Sequence, residues 1–131
     1  MMAYERLPDE ILKRASRGNE YAWRVDDIPN VISAAQDAHL LNIGGQLQFR
    51  LPNGGICECY WIEVDTFRSV SVDGDWETRV AQSAIVALKD FEVLRAEYDF
   101  VAEGKHAFGE YLVGNSPEEM MWFVWYVEDQ R

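Results

Sequence analysis

Histidine, cysteine and basic residues are scarce in this chain: two histidines, two cysteines, and 12 lysines plus arginines among 131 residues. Each shortage closes off a class of function. Isolated His39 and His106 give a Ser-His-Asp or Cys-His nucleophile little to build on, and neither Gly-x-Ser-x-Gly nor His-Glu-x-x-His occurs. Cys57 and Cys59 are i, i+2 neighbours. On a strand their side chains run parallel with Cα atoms about 6.5–7 Å apart, which is poor disulfide geometry. They also lack the spacing and the second ligand pair of structural zinc sites, so two core thiols are expected rather than a metal site. No apolar run approaches the about 18 residues needed to cross a bilayer as a helix. Residues 120–127 form the longest, at eight. The start, Met1-Met2-Ala3-Tyr4-Glu5-Arg6, lacks a secretory signal pattern. The expectation is a soluble, cytoplasmic protein with no metal and no cofactor.

Acid is what the chain has in excess. It carries 23 Asp plus Glu and a formal charge of -11, yet 48% of its residues are hydrophobic and 13% aromatic. That composition belongs to a folded domain rather than a disordered acidic tail. Residues 1–25 hold five bases and four acids (+1), so the other 106 carry -12. Such a field repels phosphate backbones and anionic lipid surfaces and attracts cationic proteins. A basic protein is therefore the expected class of partner, with no nucleic acid and no membrane. Between residues 97 and 129 there are eight acids and one base, Lys105, which gives the C-terminal third a negative edge.

The length fits one domain. Leu7-Pro8-Asp9-Glu10 predicts a first helix ending near Gly18, and Tyr21-Ala22-Trp23-Arg24-Val25 a strand. Asp26-Asp27 then caps a helix whose apolar stripe is Ile28, Val31, Ile32, Ala35 and Ala38. Gly44-Gly45 reads as the turn that closes it, and His39 at its end complements the helix dipole. A hairpin follows, residues 46–51 and 56–64. A three-residue loop at Asn53-Gly54-Gly55 pairs Leu51 with Cys57, Phe49 with Cys59 and Leu47 with Trp61. The other face then sets Gln46, Gln48 and Arg50 against Ile62, Tyr60 and Glu58. Asp73-Gly74-Asp75 opens the longest helix, with Trp76, Val80, Ala84, Ala87, Leu88, Phe91, Leu94 and Tyr98 on its stripe. The two aspartates have a calcium-loop flavour, but the rest of that spacing is missing, so they read as turn and cap. Residues 106–113 suit a short strand and Asn115-Ser116-Pro117-Glu118-Glu119 a capping box. Residues 120–127 are aromatic and β-branched on both parities, which suits a strand buried on two faces better than the alternative, a helix running on from the capping box.

The expected fold is a single α+β domain: a mainly antiparallel sheet of about four to five strands with two or three packed helices. The order β-α-β-β-α-β matches the ferredoxin-like split β-α-β arrangement. One feature conflicts with it. That topology leaves the last strand at a sheet edge, so another subunit, the first helix or a different strand order must cover residues 120–127.

No arrangement selects a catalytic pair of carboxylates, because Asp26/Asp27 and Glu118/Glu119 both sit where element starts favour acids. The candidate binding residues are Gln46, Gln48, Arg50, Glu58 and Tyr60 on the polar hairpin face, with Glu118 and Glu119 on the acidic C-terminal edge. Tyr and Arg on one surface are typical of interface hot spots. In size, acidity and aromatic content the chain resembles small bacterial immunity and toxin-neutralising proteins, many of which bind basic nucleases. That resemblance implies a small acidic binding protein that engages a cationic protein partner. The alternatives are an enzyme or small-ligand binder with a pocket between sheet and helices, and a structural subunit that homodimerises through its last strand.

Overall fold

The last apolar run of the chain is inserted into the interior of its sheet. In a computed structural model of the protein, which describes residues 3–18, 20–112, 114 and 116–130, five strands lie antiparallel in the order β1-β2-β5-β3-β4. They are β1 (Ser16–Arg17), β2 (Tyr21–Trp23), β3 (Leu41–Arg50), β4 (Ile56–Asp65) and β5 (Met121–Glu128). Three longer helices pack against one face: α2 (Ile28–Asp37), α3 (Trp76–Glu97) and α4 (Phe100–Leu112). Two single turns, α1 (Asp9–Leu12) and α5 (Pro117–Met120), complete the α+β domain.

β5 pairs with β2 at Ala22 and Trp23, and with β3 from Leu41↔Glu128 to Phe49↔Met121. The ferredoxin-like strand order is thus corrected: here β2, the first strand of the β-α-β-β-α-β series, is at the outer side and the last strand is interior. The split character survives, since β2 and β3 flank β5 and are joined through α2. Pairing of two subunits through β5 loses its basis, because the chain itself occupies both edges. Where β2 ends, the Tyr4 hydroxyl donates to the Trp125 carbonyl (2.7 Å) and covers what β2 leaves open. Phe123 and Trp125 face the helices and Val124 the other side; all three are fully buried.

This insertion depends on two glycines. Gly44 and Gly45 lie inside β3 and do not form the turn expected of them. A Cβ on Gly45 would sit 1.6 Å from the Val124 carbonyl oxygen, and one on Gly44 would sit 2.0 Å from that of Val64. Gly44 also has φ +136°, which favours glycine. Together they let β3 approach a strand on each side.

The β3–β4 register differs from expectation by two residues. Phe49 opposes Cys57, Leu47 opposes Cys59 and Arg50 opposes Ile56, so the loop spans five residues, 51–55, rather than three. Leu51 and Gly55 close it, with Leu51 N–H donating to Gly55 O (2.8 Å). A shift of two keeps each side chain on its face, and Cys57 and Cys59 are buried free thiols. Beyond Leu47 the ladder jumps, and Gln46 opposes Glu63. The extra residues Tyr60, Trp61 and Ile62 are odd in number, so they invert the alternation of β4. Ile62 and Val64 enter the core, whereas Tyr60 and Trp61 emerge into solvent, the reverse of the side expected for Trp61 and Ile62.

Two further expectations fail for local reasons. The first helix is only a 3-10 turn (Ala3–Arg6) and α1; Gly18 belongs to the β1–β2 turn instead of a helix end. Residues 106–112 are helical, because Phe100, Gly104, Phe108 and Leu112 make a stripe at i, i+4 spacing, with a kink at Phe108. Val113 and Asn115, the last residue of the expected strand and the first of the expected capping box, lie outside the described residues. Gly104 is needed on that stripe: a Cβ there would be 2.3 Å from the Phe49 ring. The α3 stripe holds except at Leu88, which is 37% exposed on the outer side while Ser83 turns inward, and Asp75 caps the helix by accepting from the Thr78 N–H (2.7 Å).

Asn42, fully buried, ties the layers together. Its amide donates to Ile32 O (3.1 Å), its oxygen accepts from Trp125 Nε1 (2.9 Å), and its backbone N–H reaches Ser83 Oγ (3.0 Å). One asparagine therefore links α2, β5 and α3.

Gly45→Ala is expected to be more damaging than Gly104→Ala. The first drives a methyl into backbone, which cannot move without opening the β3–β5 ladder. The second asks a ring to shift, at about 1–3 kcal/mol. Urea unfolding midpoints check the order; equal losses would show that β3 can separate from β5 cheaply.

Candidate functional site

The sheet face away from the helices carries a closed polar network. Gln48, on the polar parity of β3, is 0% exposed. Its Nε2 donates to Glu20 Oε1 (3.2 Å) and Glu58 Oε1 (2.9 Å), and its Oε1 accepts from Arg50 Nε (3.2 Å). Arg50 continues outward to the Ser16 carbonyl (3.1 Å) and hydroxyl (2.8 Å) and to the Glu20 carbonyl (2.8 Å). It thereby fastens the β1–β2 hairpin over the sheet. The Tyr126 hydroxyl donates to Glu20 and accepts from Gln46 Nε2 (3.4 Å). Burial lowers the Arg50 pKa, and the Glu20 carboxylate opposes that shift. Burial, then the bond to Glu20, pushes the Tyr126 hydroxyl up to about 12.

The candidate residues therefore divide. Gln46, Gln48, Arg50 and Glu58 come together, but Gln48 is internal and Arg50 is committed to Ser16 and Glu20. Arg50 does not oppose Glu58; Gln48 does. Tyr60 stands apart at 68% exposed, and interaction with the Glu58 carboxylate raises its pKa. Glu118 and Glu119 are exposed on α5. They join the same face indirectly: Gln48 opposes Trp122, Arg24 stacks on the Trp122 ring at 3.9 Å, and Arg24 donates to the carbonyls of Glu119 (2.8 Å) and Met121 (3.0 Å). The remaining acids of residues 97–129 are dispersed over α3, α4 and the end of β5, where Asp129 pairs with Arg6.

Two clefts meet at the tip of the β3–β4 hairpin. One, about 520 Å³, lies over the polar network between Ser16, Gly18, Glu20, Arg50, Gly54 and Glu58. The other, about 640 Å³, wraps the free edge of β4 and is lined by Ile56, Glu58, Tyr60, Trp61, Phe108 and Tyr111, among others. Trp61, 44% exposed, packs on Phe108 (centroids 6.4 Å apart) and donates to Glu103 Oε1 (2.7 Å). The lining of this second groove contains a carboxylate and no base.

Sequence reasoning missed Glu20, Tyr126, Trp61 and Tyr111. The first two reach the network through tertiary pairing with no local signal. Trp61 is turned outward by the irregularity in β4, and Tyr111 by the helical form of residues 106–112. Among the described residues no group of three His, Cys, Asp or Glu is placed to hold a metal ion. No described helix is long and apolar enough to cross a membrane.

No family model, curated protein or solved structure matches the chain.

The shifted groups fix an alkaline response. Burial foremost, then the nearby Glu103 carboxylate, pushes the Cys59 thiol up to about 12 from 9.0, and Tyr126 moves in the same direction from 10.0. The unfolded chain therefore releases these protons first as pH rises. Stability is fully present below the unfolded thiol value and falls progressively from about pH 9 towards about pH 12. In Cys59→Ala, compared with its own value at pH 7.5, the decline should be shallower, while Cys57, whose thiol is also raised by burial, keeps the onset at about pH 9. Urea midpoints through this range check it; an unchanged slope would show that Cys59 does not carry the response.

Proposed function

We propose that this chain is a small acidic binding protein that engages a cationic protein partner across the free edge of β4 and the adjoining face of α4. The observation that carries the reading is the groove around Tyr60 and Trp61. Large apolar side chains stand in solvent at an unpaired sheet edge, with the Glu58 carboxylate near Tyr60 and Glu103 Oε1 accepting from the Trp61 indole N–H. Exposed aromatics that cluster around a concavity are what binding surfaces use for affinity. An unpaired strand edge of this length otherwise invites promiscuous pairing, and Glu63 and Asp65 along it discourage neutral strands while leaving it open to basic ones. The whole-chain charge supplies the long-range attraction. The biological setting that fits is the immunity or toxin-neutralising one, in which an acidic protein occludes a basic nuclease.

A basic protein encoded beside this gene is the partner to test. Tyr60→Ala and Trp61→Ala should each weaken the complex by about tenfold or more, mainly through faster dissociation. Glu118→Lys and Glu119→Lys should mainly slow association, as should salt that brings the Debye length below about 10 Å. A complex indifferent to both aromatic changes overturns the proposal.

One observation favours a second reading, a small-ligand binder. Among the described residues no carboxylate lies within ion-pair distance of the Arg50 guanidinium, and its four hydrogen bonds leave one of its five N–H donors unspent beside the 520 Å³ cleft. A ligand with a carboxylate or phosphate would suit it. A thermal shift on adding citrate or phosphate that survives Trp61→Ala but disappears in Arg50→Met would favour this reading over the first.

A further inference from the structure

The outer face of α3 carries exposed large apolar side chains among its polar ones. Val80, Ser83, Ala84, Ala87 and Phe91 face the core. On the opposite side Ile85 is 70% exposed, Val93 45% and Leu88 37%, and with Lys89, Glu92 and Ala96 they line a shallow groove of about 470 Å³. This groove carries one base and one acid and so is locally neutral on a chain of charge -11. It offers a cationic partner no attraction, and it is a surface on which two copies of such an acidic chain can approach.

We infer that this face is a self-association surface on which a second copy docks antiparallel about a two-fold axis. Such an interface must be self-complementary: if residue i meets j, then j meets i. The groove satisfies this. An axis passing between Asp90 and Phe91 sets Ile85 of one copy over Ala96 of the other, large on small, and brings Lys89 within reach of Glu92, each pair made twice. Leu88 and Val93 flank the seam on its two sides. From Ile85 to Ala96 the contact runs about 16 Å along the helix. Among the described residues no other element covers this face, and β4 stays free, so the inference is independent of the proposed function.

The charge makes the assembly recognisable. Two chains of -11 repel at long range, and salt screens that repulsion while leaving apolar contact intact. Dimerisation therefore strengthens with salt, whereas engagement of a cationic partner weakens.

Sedimentation equilibrium of the full chain, across a concentration series at low and high sodium chloride, is the test. The expected result is a monomer–dimer equilibrium whose association constant rises several-fold with salt. Ile85→Glu should reduce it at least tenfold at both salts while the circular dichroism spectrum and thermal midpoint are retained. Lys89→Glu and Glu92→Lys should each weaken self-association, and an equimolar mixture of the two variants should restore it, because the two-fold antiparallel pairing then places opposite charges together at both contacts. Monomer throughout at high salt, a dimer untouched by Ile85→Glu, or failure of the mixture to associate would each overturn the inference.

Discussion

The close approach of β5 to β3 is the constraint on which the rest of the structure depends. β3 has a neighbour on each edge, and at Gly45 the Val124 carbonyl of β5 occupies the space in which any side chain would start. That permits a segment more than 70 residues downstream to enter the sheet between two strands already specified. Once it is there, Phe123 meets Phe91 edge-on at 5.1 Å and lies near Phe100 at 6.2 Å, so α3 and α4 are both anchored on β5. Trp125 meets Asn42, and α2 is linked through the same asparagine. The helical layer thus has no complete footing without the C-terminal strand, which is held to β3 by contacts of long sequence separation.

The legible and illegible parts of this fold separate along the same line. Helix stripes and caps depend on residues three or four apart, and α2 and α3 lie where their spacing places them. The two-sided burial of β5 was visible in its composition, and that property alone conflicted with an edge position. What was invisible required a partner distant in sequence. Gly44-Gly45 carries the same signal as a turn, and only the carbonyls of Val64 and Val124 distinguish a close crossing from a reversal. Likewise, the parity of Cys57 and Cys59 against Ile62 and Val64 requires β4 to be interrupted, but the place of the odd insertion, at residues 60–62, is set only relative to Gln46 and Leu47 across the ladder.

The candidate site shows the same division in its chemistry. Gln48 alternates with buried Leu47 and Phe49 and so belongs on the polar parity, yet it is as buried as they are. The β1–β2 hairpin, about 30 positions upstream, brings Glu20 and Ser16 over it, and each polar atom it would leave unsatisfied finds a partner. A residue type chosen for a solvated surface becomes the centre of a structural network. The proposed binding role therefore falls to the neighbouring edge, where Tyr60 is 68% and Trp61 44% exposed.

That transfer follows from how β4 resolves competing demands. Its first half must turn Cys57 and Cys59 inward to meet Phe49 and Leu47, while its second half must bring Ile62 and Val64 against the helices. Both sets cannot be inward on one uninterrupted strand, because positions 57 and 59 differ in parity from 62 and 64. An odd insertion is the geometrical solution, and the residues on either side of the change of parity are necessarily displaced from the ladder. Here those residues are aromatic. Polar residues would have satisfied the geometry and kept the edge soluble, as Glu63 and Asp65 do a few positions later. Placing Tyr60 and Trp61 at that point, the first near the Glu58 carboxylate and the second hydrogen-bonded to Glu103, converts a packing solution into an exposed aromatic surface with acidic character.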